Sequence, residues 1–464
     1  MNDSSPAEAE IPESGHQGPS FTVMLGLFWL VALGLYWFLA VSPLSEGRHN
    51  NDFRHIYLGA RALMAGMSPY PAPTLLEMAN RTGMGGVSLN PYVYLPFTGL
   101  VLEPLARLTF PQASQSWFWI NHGLTLGTIV LVILTLPAGA RRWWIGAGLL
   151  AVFSVFHPLH RTLTAGQLNM VVTLAFLLVP ALLAAKKPIS AGVIAAFAML
   201  FKLTPGLLLV PLLFVGGAPA LMAFGAAAAV GLLWSLWRVG FKIHFDFLPM
   251  LASMGHGRSS WQEHGAIFWK EPTNQSFNSL LTHLLVAEND VTLPWVAGPA
   301  WIANLLSLGL SLAALALLVA IAIKWSKAAP TMTPVEASQS VMGLGHFTSL
   351  IALLIPALLW DHYLVAALPP STYLLWHSIE QRRWGRVWGL GFCVFIMALP
   401  WPYGIPPFRS GLGIPLMSVK LWPLLVVVWM LLTVLNEHRI LAANRAKDQD
   451  SVDTGSLDGL KSVR

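Results

Sequence analysis

Residues 20–41 read SFTVMLGLFWLVALGLYWFLAV, with no charged side chain among them. About 20 such residues in a helix cross a ~30 Å hydrocarbon core. Further apolar runs follow near 91–110, 117–136, 143–157, 168–185, 189–203, 205–217, 219–238, 299–323, 341–359, 363–378, 387–403 and 416–435. Only 10% of the 464 residues are charged and 55% are hydrophobic, against about 25% charged in an ordinary globular domain. Trp is abundant (20) and Tyr scarce (8), and many Trp sit at the ends of apolar runs, as in an interfacial aromatic belt. This composition excludes a secreted disulfide scaffold, a disordered chain and a nucleic-acid binder. The single cysteine, Cys393, lies inside an apolar run, so no disulfide or cysteine-built zinc site forms within one chain. The net charge of +6 reads as asymmetry between membrane loops.

Arg141-Arg142, Lys186-Lys187, Lys324/Lys327 and Arg382-Arg383/Arg386 punctuate the runs, and the positive-inside rule assigns each cluster to the cytoplasm. From residue 143 onward every second connection is basic. Two full crossings over 91–110 and 117–136 would put Arg141-Arg142 outside. The first of these runs carries Glu103, Pro104 and Arg107, and it is expected to be re-entrant or interfacial. The expected fold is all-α, a polytopic bundle of about 12 transmembrane helices. Its membrane domain covers 20–435, between disordered cytoplasmic tails at 1–19 and 436–464.

In the first outside loop, Phe53, Ile56, Tyr57, Ala60, Leu63 and Met64 recur at helical spacing, with Asp52 at the N-cap and Gly66 at the end. A second helix is expected from Thr74, with Glu77 completing a capping box, to Gly83. Both are expected to lie on the outer membrane surface. Asp52 reads either as a helix cap or as a carboxylate able to take a proton from a hydroxyl.

Ionisable groups at a membrane edge are functional candidates. Lys202, in Phe-Lys-Leu-Thr-Pro, either snorkels or neutralises a lipid phosphate. His157, His160 and Arg161 precede Gly166-Gln167-Leu-Asn169, which is either a solvated turn or a group of substrate contacts. Asp361-His362, in a tight turn, is either a self-satisfied pair or a substrate contact. His256, Arg258 and His264 lie in the 239–275 loop ahead of Asn274-Gln275-Ser276, a formal glycosylation sequon. These histidines lack metal-ligand spacing, and no metal or cofactor is expected. The expected topology puts all of these groups on one side of the membrane with Asp52.

The order of these motifs resembles glycosyltransferase family 87, within the C-type membrane superfamily. The resemblance runs from about residue 50 to about 370. It rests on Asn51-Asp52-Phe53 with Tyr57, Gly66 with Pro69-Tyr70, Tyr92-Val-Tyr-Leu-Pro96 and Pro104-Leu105-Ala106. It continues through Gly166-Gln167-Leu-Asn169, Lys202-Leu-Thr-Pro205, Asn274-Gln275-Ser276 and Trp360-Asp-His362-Tyr363. It implies about a dozen helices, with two surface helices in the first outside loop. It also implies a polyprenyl-phosphate sugar donor, a lipid or cell-envelope glycan acceptor and inversion at the anomeric carbon, with mannose or arabinofuranose as the usual sugar. By motif position Asp52 would be the general base and His362 a second active-site group. Superfamily relatives often pair acids in the first loop, whereas here Asn51 precedes a lone Asp52. The expected place is the plasma membrane, with the site on its periplasmic or extracellular face among membrane lipids. On composition alone the rival is a transporter or flippase of a lipid-linked or small polar solute.

Overall fold

A computed structural model describes residues 19–44, 51–257, 271–287, 289, 291–437 and 439–440. Among them every named element is helical. Helix α1 (Pro19–Tyr36) runs on through a π turn, Trp37–Val41, and is followed by α2 (Asn51–Met64) and α3 (Ala72–Arg81). Next come the short α4 (Pro96–Val101) and α5 (Glu103–Ala106), then α6 (Phe110–Thr135), α7 (Arg141–Val155), α8 (His157–Ala165), α9 (Asn169–Ala184) and α10 (Pro188–Phe201). A helical stretch over 204–216, made of 3₁₀, α and π turns in succession, leads into α11 (Gly217–Ser253). The chain continues through α12 (Phe277–Leu285), α13 (Ala300–Ala328), α14 (Pro334–Leu354), a 3₁₀ segment Asp361–Ala367, α15 (Leu368–Glu380), α16 (Trp384–Ala398) and α17 (Leu421–Glu437).

Helix α14 forms the centre, with every residue from Ser340 to Leu354 buried. It approaches α9 closely, because a Cβ at Gly345 would stand 2.3 Å from the Pro180 ring. Helix α9 also packs on α6 and α10, and α10 on α11.

By length and composition, five helices among the described residues can cross a membrane: Phe21–Val41, Phe110–Thr135, Thr204–Ser253, Ala300–Thr331 and Pro334–Leu354. The number reaches seven if two bent pairs each count once, α7 with α8 (63°) and Gly411–Met417 with α17 (62°). About twelve crossings were expected. The runs at 168–185, 189–203 and 387–403 fold as shorter apolar helices, and those at 205–217 and 219–238 merge into one candidate span. The 239–298 connection begins as helix, since α11 continues past a kink at Gly240 (φ 79°) to Ser253.

The run at 91–110 does not form a crossing helix. It folds as α4 and α5, packed on α2, and Glu103 pairs with Arg107 within the run (2.6 Å) and ties it to Arg238 of α11 (2.7 Å). This cover explains a second difference. Helix α2 has the expected amphipathic spacing, yet Phe53, His55–Ala60, Ala62 and Leu63 are all buried, so it is enclosed rather than laid on the surface. Helix α3 starts at Ala72 with Pro71 as N-cap, and Glu77 pairs with Arg81 instead of closing a capping box. Helix α17 continues to Glu437, which pairs with Arg383 and with Arg386 (3.0 Å), so the ordered bundle passes the expected boundary at 436. Residues 1–18 and 441–464, which hold most of the expected tails, lie outside the described residues.

The basic clusters share one end of the bundle. Arg141, at the start of α7, pairs with Glu380, at the end of α15. Lys186-Lys187 follow α9, and Lys324 lines a crevice with Arg439. The opposite ends of α7, α9 and α15 carry α8, Asn169 and the Asp361 segment.

Candidate active site

At that opposite end, Asp52, His55, Asn90, Val93, Tyr94, Arg161, Gln167, Glu271, Trp360, His362 and Tyr363 line a cavity of about 350 Å³. Asp52 lies in the first turn of α2, one residue inside its start. Its carboxylate takes side-chain amides: Asn90 Nδ2 donates to Oδ1 at 2.6 Å and Gln167 Nε2 donates to Oδ2. Both donors are uncharged, so they fix the carboxylate's orientation without neutralising it. Each oxygen keeps a further lone pair for a substrate proton. The positive end of the α2 dipole adds to the stabilisation of the anion.

Gln167 reaches Asp52 because α8 ends abruptly. Gly166 caps it in the left-handed region (φ 67°), a conformation that glycine adopts without steric penalty. Trp117 Nε1 holds that turn through the Gly166 carbonyl at 2.8 Å. The Tyr94 hydroxyl lies 3.4 Å from Gln167 Oε1. Burial, aided by Tyr363 and Asp52, pushes Tyr94 well above the usual phenol range. Burial and Asp52 do the same to Tyr363. Both phenols therefore stay protonated and can donate.

His362 is buried against the cavity, and its carbonyl accepts from Thr162 Oγ1 (2.9 Å) and Asn169 Nδ2 (3.3 Å). Burial holds its imidazole well below the usual range, and Arg161, Lys202 and His157 push the same way. A neutral ring results, suited to hydrogen bonding rather than to carrying charge.

Lys202 caps the C-terminus of α10. Its Nζ donates to Asn169 Oδ1 at 3.0 Å and lies 4.0 Å from the centre of the Tyr363 ring. Burial lowers it to about 8, with Asp52 opposing that shift. Lys202 and Asn169 line a narrower apolar slot with Val172, Phe176, Leu353 and Pro356. Tyr363 borders both spaces, so the slot that holds Lys202 adjoins the polar cavity.

Asp52, Arg161, Gln167 and His362 thus share one cavity, with Lys202 and Asn169 beside it. The other candidates among the described residues lie elsewhere. Asn274 is fully buried and serves the backbone, its Oδ1 accepting from Leu359 N (2.9 Å) and Ser276 N (3.2 Å). Gln275, equally buried, donates to Pro272 O (2.8 Å) and Met417 O (3.0 Å) and accepts from Lys420 N (2.9 Å). Asp361 is wholly buried behind the cavity wall. His256 lies 3.3 Å from Ser311 Oγ, away from the cavity. Arg258 and His264 fall outside the described residues. No group of three His, Cys, Asp or Glu side chains suited to a metal ion occurs among the described residues.

Asn90, His55, Glu271 and Lys420 were not singled out from the sequence as site candidates. Asn90 precedes Pro91 in an otherwise unremarkable loop, and only tertiary contact brings it to Asp52. Tyr94 and Tyr363 lay within the quoted motifs without an assigned role.

The model of a family described as Glycosyltransferase family 87 matches residues 92–344. A polyprenol-phosphate-mannose-dependent alpha-(1-2)-phosphatidylinositol mannoside mannosyltransferase of Mycolicibacterium smegmatis is 26% identical over 195 residues, covering 38% of this chain and 41% of the relative. The match therefore spans less than half the length of that relative. No solved structure matches at a significant level.

Proposed function

The chain belongs to glycosyltransferase family 87, and from that premise we propose that it transfers mannose from a polyprenyl-phosphate donor to a glycolipid acceptor by direct, inverting displacement. The observation that carries this reading is the Asp52 carboxylate, held by two neutral amides in one cavity with Arg161 and His362. In the proposed reaction an acceptor hydroxyl attacks the anomeric carbon and its proton passes to Asp52. The bond from that carbon to the phosphate oxygen breaks, and the polyprenyl phosphate leaves with the electron pair.

The leaving group is a phosphate monoester, whose developing charge Lys202 and Arg161 can meet. The cavity of about 350 Å³ suits the reacting sugars, and the small slot that adjoins it is lined by apolar side chains of the kind a prenyl chain contacts. Mannose is favoured over arabinofuranose by the activity of the mannosyltransferase relative. The phosphatidylinositol mannoside on which that relative acts also favours a phosphoinositide-type glycolipid as acceptor. The basic clusters at the far end of the bundle support a cytoplasmic position for that end, and so a site on the outer face of the plasma membrane. Family membership favours this reading over a transporter.

The test is transfer by purified protein from polyprenyl-phosphate mannose to phosphatidylinositol mannosides, with the new linkage read by NMR. Inverted configuration is expected. Retention, or use of polyprenyl-phosphate arabinofuranose with no use of the mannosyl donor, would overturn the proposal.

A further inference from the structure

Behind the cavity wall Asp361 and Lys420 are both wholly buried. The Asp361 carboxylate is surrounded without being closed upon. Its Oδ1 lies 3.7 Å from Arg161 Nε and 3.9 Å from His362 Nδ1, and its Oδ2 lies 3.5 Å from His157 Nδ1 and 3.7 Å from Lys420 Nζ. Each separation exceeds an ordinary charge-assisted hydrogen bond of about 2.7–2.9 Å. One carboxylate is thus shared between the Arg161 guanidinium, the Lys420 ammonium and two imidazoles, so two cations compete for one anion.

Lys420 sits in the break between Met417 and α17, outside the family match and outside every motif quoted above. Its backbone is pinned there. Lys420 N donates to Gln275 Oε1, and Gln275 donates to Met417 O. The stem therefore starts from a fixed point, and its ammonium faces Asp361. Arg161, by contrast, keeps 39% of its side chain exposed and lines the cavity. A guanidinium beside a lone buried carboxylate would close onto it in a two-bonded pair.

We propose that Lys420 is a positioning residue: by occupying one side of Asp361 it keeps Arg161 from closing onto that carboxylate, and so leaves the Arg161 guanidinium free for a phosphate in the cavity. The inference rests on the donor reading given above. Lys420 itself touches no substrate.

The experiment titrates farnesyl phosphate into the full-length protein in detergent. Lys420→Met keeps most of the side chain's length and removes its charge. It should weaken binding about tenfold, the scale on which residues act through an intermediary. Lys420→Arg should bind like wild type. In an Asp361→Asn background Lys420→Met should add less than about twofold, because residues acting through one another are not additive.

Wild-type affinity in a folded Lys420→Met protein overturns the proposal, and so does an equal loss with and without Asp361→Asn. If Lys420→Met does not fold alone, Asp361→Asn and the uncharged double variant decide between them: equal affinity supports the proposal and a further tenfold loss overturns it. A wild type that binds no farnesyl phosphate overturns the donor reading and, with it, the role of Lys420. Wild-type binding with an unaffected Lys420→Met overturns only the latter.

Discussion

The side-chain amide of Gln167 donates to Asp52 Oδ2 across 115 residues of chain. This contact joins the turn after α8 to the first turn of α2. It also changes the meaning of Asp52. A helix cap would turn its oxygens back toward the backbone of its own helix, whereas both Asp52 oxygens face amides from other segments.

Asp52→Asn should therefore do more than remove a base. An asparagine there has one accepting oxygen for two donors, and its own amide N–H groups meet Asn90 or Gln167. Turnover should fall by at least about 10²-fold, the scale of a lost general base. Thermal stability should also fall, by about 1 kcal/mol for the mismatched hydrogen bond. Mannosyl transfer and melting of the purified variant check both effects. Undiminished transfer would remove Asp52 from the chemistry.

Gly166→Ala separates geometry from chemistry, because it alters no functional group. An alanine forced to φ 67° costs about 1–2 kcal/mol, or relaxes by moving Gln167. We expect a lowered melting temperature and a fall in kcat of roughly tenfold, since misplacing a catalytic group is costly. Restoring glycine at 166 in the purified series should recover both.

Gln275 looked like a substrate contact in the sequence and is a strap in the fold. Its amide joins Pro272, Met417 and Lys420. Gln275→Ala should lower stability by about 2–3 kcal/mol, as expected when buried hydrogen-bond partners are left unmet. The donor KM of the folded fraction should rise by less than the roughly tenfold expected of Lys420→Met, because the variant loosens the Lys420 backbone but keeps its charge. A large rise in KM with unchanged melting would reverse this assignment.

Much of the fold was legible because membrane solvent writes plainly into sequence: apolar runs, basic connections and Trp at the run ends. The number of crossings was less so. Hydropathy marks apolar length but not where a helix stops, and α9, α10 and α16 end before their apolar runs do. The enclosure of α2 was also hidden, because amphipathic spacing reports one apolar face and not what covers the other. In the site, Asp52, Arg161, Gln167 and His362 were legible as polar groups at a membrane edge. Asn274, Gln275 and Asp361 looked the same in sequence, and only the fold shows that they do not line the cavity. Lys420 was missed because its break falls inside an apolar run.

The placement of the basic clusters opposite the cavity predicts how the protein is labelled in intact cells. Glu271 is exposed at the cavity, so Glu271→Cys should react with a membrane-impermeant maleimide, measured against a Cys393→Ser background. Lys187→Cys, beyond the far end of α9, should react only after permeabilisation. The reverse pattern would move the site to the cytoplasmic face.

Lys202 gives the pH dependence its direction. Burial lowers its ammonium from 10.5 to about 8, so the folded protein binds this proton less tightly than the unfolded chain does. Below pH 8 the buried charge opposes folding. That penalty fades as pH rises from 8 toward 10.5, where the unfolded chain also loses its proton. Donor binding runs the other way, because a phosphate is held by the ammonium and not by the neutral amine. Farnesyl phosphate affinity should therefore weaken as pH passes about 8, while the unliganded protein gains stability over the same range. Lys202→Arg should flatten the upper limb, since a guanidinium keeps its charge there. Lys202→Met should bind weakly at every pH and melt no lower than wild type at pH 7. An affinity that stays level to pH 9.5 in wild type, or a Lys202→Met protein that binds the phosphate as well as wild type, would leave the ammonium no part in holding the donor.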